Sequence, residues 1–152
     1  MQQFTYSDAG LALTKSFEGL RLEAYQDSGG VWTVGYGHTG PGLLAGMKIS
    51  QADADMMLRA DVAVAVNSVN RAVTEEISQH QFDALVDFCF NVGRGNFLQS
   101  SLLHKLNDGD FEGAAAQFLL WINVNGKRAD GLVKRRKAEA AMFRGQLPAT
   151  LA

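Results

Sequence analysis

Glu18, Asp27 and Thr33 are three residues whose types and spacing could act together on a polar bond. Glu18 falls at the end of an apolar-periodic segment that predicts a helix over about 8–18. The C-terminal end of a helix disfavours a carboxylate by ~0.3–1 kcal/mol when exposed. Burial beside Phe17 and Leu20 would act in the same direction. A carboxylic acid kept protonated near neutral pH can give its proton to a leaving group. Asp27 stands before Ser28-Gly29-Gly30, a polar turn where an ionised carboxylate is expected. It could activate a water or attack directly, and the Thr33 hydroxyl could hold that water. Two carboxyl groups in unlike surroundings are what cleavage of a glycosidic bond requires. On residue types alone, surface carboxylates in a helix end and a turn are the preferred reading of the same pair.

These residues depend on the elements that carry them. Ser7 is a fitting N-cap for the first helix, and Gly19 a fitting stop. Arg21 to Asp27 alternates polar and apolar side chains, which predicts a strand. Val31 to His38 alternates again, with Val31, Thr33, Gly35 and Gly37 on one nearly bare face. Gly40-Pro41-Gly42 is a break, with room for a third short strand after it. Ser50 and Asp53 mark a second N-cap before a long helix over about 51–72. Ser78 and Gln81 read as a capping box for a helix to about Asn91. Gly93-Arg94-Gly95-Asn96 reads as a break, followed by helices near 100–107, 111–121 and 131–144. The predicted fold is α+β in one domain over 1–152. A small antiparallel-sheet lobe at about 15–50 is joined by the long helix, about 51–72, to a helical lobe at about 73–145. The first helix lies at the junction, and two such lobes are expected to enclose a cleft.

Composition narrows the classes. The 152 residues are 47% hydrophobic and 20% charged, as in ordinary globular chains, which argues against disorder and coiled coil. No apolar run approaches the ~18 residues that a membrane span needs. The single cysteine, Cys89, sits in the apolar run 85–90 and excludes an internal disulfide. It reads as a core thiol. His38, His80 and His104 lack ligand spacing, so no metal is expected, and no phosphate loop suggests a cofactor. Residues 1–120 carry 7 Lys/Arg against 14 Asp/Glu, a net −7, while residues 121–152 carry 7 against 2, a net +5. Charge alone reads this basic end as a solvated helix face, with an anionic polymer as the sharper alternative. Its basic residues lack interleaved aromatics, so nucleic acid is not an expected partner.

The run Phe17-Glu18-Gly19, Tyr25-Gln26-Asp27-Ser28-Gly29-Gly30 and Trp32-Thr33-Val34-Gly35-Tyr36-Gly37-His38-Thr39 closely resembles the phage-type lysozymes, the endolysins of glycoside hydrolase family 24. That family spaces Glu, eight residues, Asp or Cys, five residues, Thr, and both spacings are met here. Gln81-Phe82-Asp83-Ala84-Leu85, Phe90-Asn91-Val92-Gly93 and 131–139 extend the resemblance over about 7–145. It implies cleavage of the β-1,4 bond between N-acetylmuramic acid and N-acetylglucosamine in peptidoglycan. Glu18 would be the general acid, and Asp27 with Thr33 would activate or place water. Carboxyl groups ~6.5–9.5 Å apart would suit water attack, and ~5–5.5 Å a covalent intermediate. The resemblance also implies Thr39, Phe90, Ser100 and Gln117 as substrate-binding positions, with Phe90 nearly as readily a core residue. It implies an ion pair between His38 and Asp61, and Arg135, in preference to Arg136, behind Glu18. Trp121, Met142 and Phe143 read as core.

A lytic transglycosylase needs one acid/base Glu and no water-placing pair, so Asp27 and Thr33 argue for hydrolysis. A silent carbohydrate-binding module is the alternative of another class. The expected partner is bacterial peptidoglycan, met by a monomer without stable membrane insertion. In this reading the basic end would speed association with an anionic wall. Met1 to Ser7 shows no basic and apolar leader pattern. The expected route is therefore synthesis in the host cytoplasm, then release to the wall in the periplasm.

Overall fold

The computed structural model describes residues 3–148 and Leu151; Met1 and Gln2, part of the stretch read above for a leader, lie outside them. The chain forms two compact units, Met1–Leu13 with Val64–Ala152, and Thr14–Ala63. Helix α1 (Asp8–Glu18) and helix α2 (Gln51–Ala72) each contribute to both.

The smaller unit is built on strands β1 (Arg21–Gln26) and β2 (Trp32–Gly35), paired antiparallel with Tyr25 opposite Thr33. The alternation predicted a strand as far as His38, but β2 stops at Gly35. The reason lies in two left-handed glycines, Gly35 (φ 67) and Gly37 (φ 80), which turn the chain back. His38 then pairs with Val34 through two 2.9 Å backbone hydrogen bonds. The expected third strand is reduced to an isolated bridge between Glu23 and Lys48, flanked by bonds from Ala24 to Met47 and from Ile49 to Leu22. The start of α2 closes over this sheet. Ser50 and Asp53 cap it reciprocally, and Ala54 and Ile49 pack against Gly35. Lys15 bonds Asp55 at 2.9 Å and the Gln51 amide donates to the Tyr36 hydroxyl at 2.8 Å.

The larger unit is organised around helix α3 (Gln79–Val92). The Ser78–Gln81 capping box starts it, and Phe82 through Cys89 are all buried. Helix α4 (Arg94–Gln99) follows at once. The predicted break at 93–96 is one residue long, because only Gly93 (φ 94) leaves helical geometry. Helices α5 (Ser101–Asn107), α6 (Phe111–Gln117) and α7 (Asp130–Phe143) complete the layer, and α7 packs mainly on α3. The predicted 111–121 helix tightens into a 3-10 turn at Phe118–Leu120. A small hairpin, β3 (Asn123–Val124) and β4 (Lys127–Arg128), then turns through Asn125-Gly126, a two-residue signal the sequence reading passed over. The Phe88 ring meets the edges of Phe118 and Trp121 at 5.3 and 5.5 Å. Met142 and Phe143 are buried, while Trp121 is half-buried. Burial pushes the Cys89 thiol up to about 12, as befits an inert core group.

Arg135 and Arg136 do not lie on a solvated helix face; both are buried. Arg135 grips Asp87 with two bonds of 2.8 and 2.9 Å. Arg136 donates to Glu139 at 2.7 Å, to the Trp121 carbonyl at 2.9 Å, and to Asn91. Glu139 is fully buried, and among the described residues its Oε2 has no hydrogen-bond partner, the Arg135 Nε lying 3.8 Å away. Burial first, then the neighbouring Asp87 carboxyl, holds Glu139 well above the usual carboxylate range. The basic end thus spends two of its cations internally.

Candidate active site

Glu18, Asp27 and Thr33 all belong to the 14–63 unit. Asp27 follows β1 and makes the turn to β2. Its backbone bonds Val31 and Gly30, each at 2.9 Å, and its Oδ1 accepts from Gly29 N–H at 2.8 Å and Val31 N–H at 2.9 Å. An aspartate before Ser-Gly-Gly folds in this way because its short carboxylate reaches its own turn's amides. Asp27 is exposed, and its Oδ2 makes no hydrogen bond among the described residues.

Thr33 is buried on β2, where its hydroxyl donates to the Val31 carbonyl at 3.0 Å. The backbone of Val31 therefore fixes both side chains, through its N–H for Asp27 and its C=O for Thr33. With its proton committed, the Thr33 oxygen keeps lone pairs that can accept from a water. The sequence reading missed the part played by Val31, since backbone groups leave no residue-type signal.

Glu18 is the last residue of α1 and is half-buried. Gly19 (φ 70) ends the helix behind it. A Cβ at Gly37 would lie 3.4 Å from Glu18 Oε2, so the carboxyl stands against the glycine turn that follows β2. In the same turn, His38 Nδ1 is 2.8 Å from Asp61 Oδ2 on α2. The pair ties the returning chain to the helix. Thr39 follows it, exposed.

Phe90, Ser100, Gln117 and Arg135 belong to the other unit. Phe90 and Gln117 are half-buried, at the ends of α3 and α6. Ser100 is buried, and its hydroxyl is occupied as the cap of α5, donating to Phe97 and accepting from Leu103 N–H at 3.1 Å. Among the described residues, no group of three His, Cys, Asp or Glu side chains could hold a metal, and no helix is long and apolar enough to cross a membrane.

The phage lysozyme family matches residues 15–139, a span that holds the helix end, the Asp27 turn and the glycine turn together. The chain belongs to the phage lysozyme family. An endolysin of Acyrthosiphon pisum secondary endosymbiont phage 1 is 47% identical over 90% of this chain and 96% of its own length. An endolysin of Bacillus phage PZA is 46% identical over 93% of this chain, which spans only 56% of that protein. Among solved structures, the muramidase domain of SpmX from Asticaccaulis excentricus superposes with a TM-score of 0.84 at 41% identity, over 91% of this chain and 97% of that one. The mixed helical fold with small antiparallel sheets is the fold of this lysozyme family, and the chain is a glycosidase of the lysozyme type that hydrolyses peptidoglycan.

Proposed function

We propose that this lysozyme cleaves the β-1,4 bond between N-acetylmuramic acid and N-acetylglucosamine, with Glu18 as general acid and Asp27 and Thr33 acting on water. Glu18 gives its proton to the bridging oxygen as the glycosidic bond breaks. A water held by Thr33 adds to the anomeric carbon, and Asp27 takes the proton it sheds. The observation that carries this reading is the double hold of Val31. One backbone residue fixes the carboxylate by its N–H and the hydroxyl by its carbonyl, so the water-handling pair is preorganised. Asp27 is exposed, and its Oδ2 is left for the proton. Glu18 stands against Gly37, which adds no side chain beside its carboxyl.

In this reading Thr39, Phe90, Ser100 and Gln117 contact the glycan, the His38–Asp61 pair holds the turn, and Arg135 supports Glu18. The partner is peptidoglycan, met by a monomer from the periplasmic side. The test is mass spectrometry of purified peptidoglycan after digestion. Products with free reducing N-acetylmuramic acid ends are expected. Anhydromuramyl ends would instead mark a transglycosylase and remove the roles of Asp27 and Thr33.

A further inference from the structure

We propose that the groove between α2 and α4 is a subsite for the carboxylates of peptidoglycan's peptide stems; this rests on the reading of that polymer as substrate. Val64, Asn67, Ser68 and Arg71 recur at helical spacing and make one wall. Arg94 and Leu98, one turn apart on α4, make the other, and the space between is about 420 Å³.

Two guanidinium groups from two helices therefore line one groove that holds no acidic side chain. Both arginines are exposed, and neither side chain makes a hydrogen bond or ion pair among the described residues. This sets them apart from the arginines of the same unit that meet carboxylates, namely Arg135 with Asp87, Arg136 with Glu139, and Arg144 with Glu112. Uncompensated like charges in a concave site raise its potential and draw an anion. A guanidinium fork matches a carboxylate with two parallel bonds. Asn67 adds an exposed amide, while the Ser68 proton is already given to Val64 at 2.8 Å.

The apolar part of the lining chooses among anionic groups. Val64, Leu98 and Ala72 present methyl surface beside the charges. Stem peptides combine free carboxylates with methyl and methylene groups at that grain. No aromatic ring lines the groove, so a sugar would find nothing to stack on.

The experiment titrates the synthetic stem tetrapeptide L-Ala-D-Glu-meso-diaminopimelate-D-Ala into the full chain, by calorimetry and by NMR of the arginine Nε–H groups. The wild type and Glu18→Gln are expected to bind equally. Arg71→Gln with Arg94→Gln should bind about tenfold more weakly, the loss of one charge-assisted bond's worth of affinity. Arg71→Lys with Arg94→Lys should fall between, and the tetrapeptide with its carboxylates amidated should match the Gln pair. Wild-type affinity in the Gln pair, unchanged binding of the amidated peptide, or no saturable binding by the wild type would each overturn the subsite. Both arginines are exposed, and an unchanged urea midpoint checks that the variants fold. Digestion of whole peptidoglycan by the wild type, read as free reducing N-acetylmuramic acid ends, tests the muramidase reading separately. Failure there, with tetrapeptide binding intact, would overturn that reading and leave the subsite standing.

Discussion

The two units handle their charges in opposite ways. In the larger one, Asp87, Arg135, Arg136 and Glu139 are all at most 5% exposed and bonded to one another. In the smaller one, Asp27 lies at the surface, while Glu18, His38 and Asp61 are half-buried. A buried ionic cluster is fixed by its partners and serves the fold. A surface carboxylate held by backbone amides through one oxygen keeps the other for a ligand. The contrast separates charges that build this lysozyme from charges that the proposed mechanism uses.

The largest break in that contrast is expected from Arg136→Ala. It leaves Glu139, the Trp121 carbonyl and Asn91 without their buried donor, removes the cation 5.2 Å from the Phe88 ring, and should cost about 3–5 kcal/mol in urea unfolding. Glu139 also gives the larger unit a pH signature. Its carboxyl is raised in the folded state, so from its ordinary value of 4.5 upward the folded chain holds a proton that the unfolded chain releases. Stability therefore falls as pH rises through that window, by at most ~1.4 kcal/mol per pH unit. Glu139→Gln should flatten this slope; an equal slope in the variant would refute the assignment.

Gly37→Ala acts on the smaller unit. It forces a side chain into a left-handed turn at a cost of about 1 kcal/mol and sets a methyl against Glu18. Peptidoglycan cleavage should drop by more than the small stability loss explains, as a rate measured well below the unfolding midpoint would reveal. Asp61→Asn is the mildest. The His38–Asp61 pair is partly exposed, so a loss of about 0.5–1 kcal/mol in thermal unfolding is expected.

Legibility in the sequence divides along similar lines. Caps and helical periodicity located α1, α2 and α3 to within a residue or so, because Ser7, Ser50 and Ser78 make local bonds that need no distant partner. Glycine was read less well. Gly35 and Gly37 look like a bare strand face in an alternating pattern, whereas their positive φ makes them a turn. Gly93 looks like the start of a loop, yet it only separates two helices. For the candidate site, residue type and spacing alone were a weak signal, and the family resemblance singled out Glu18, Asp27 and Thr33. The hold of Val31 on two of them was invisible, because it is made by backbone atoms. The burial of Arg135 and Arg136 was invisible too, since Asp87, the partner that neutralises Arg135, stands far away in sequence.

The measurement that tests the central claim most directly is peptidoglycan cleavage by Glu18→Gln and Asp27→Asn, each paired with its urea unfolding curve. The account predicts rates lower by about 10²–10⁴-fold with stabilities within about 0.5 kcal/mol of the wild type. Near-wild-type cleavage by Glu18→Gln, in a chain that still unfolds at the wild-type midpoint, would contradict it.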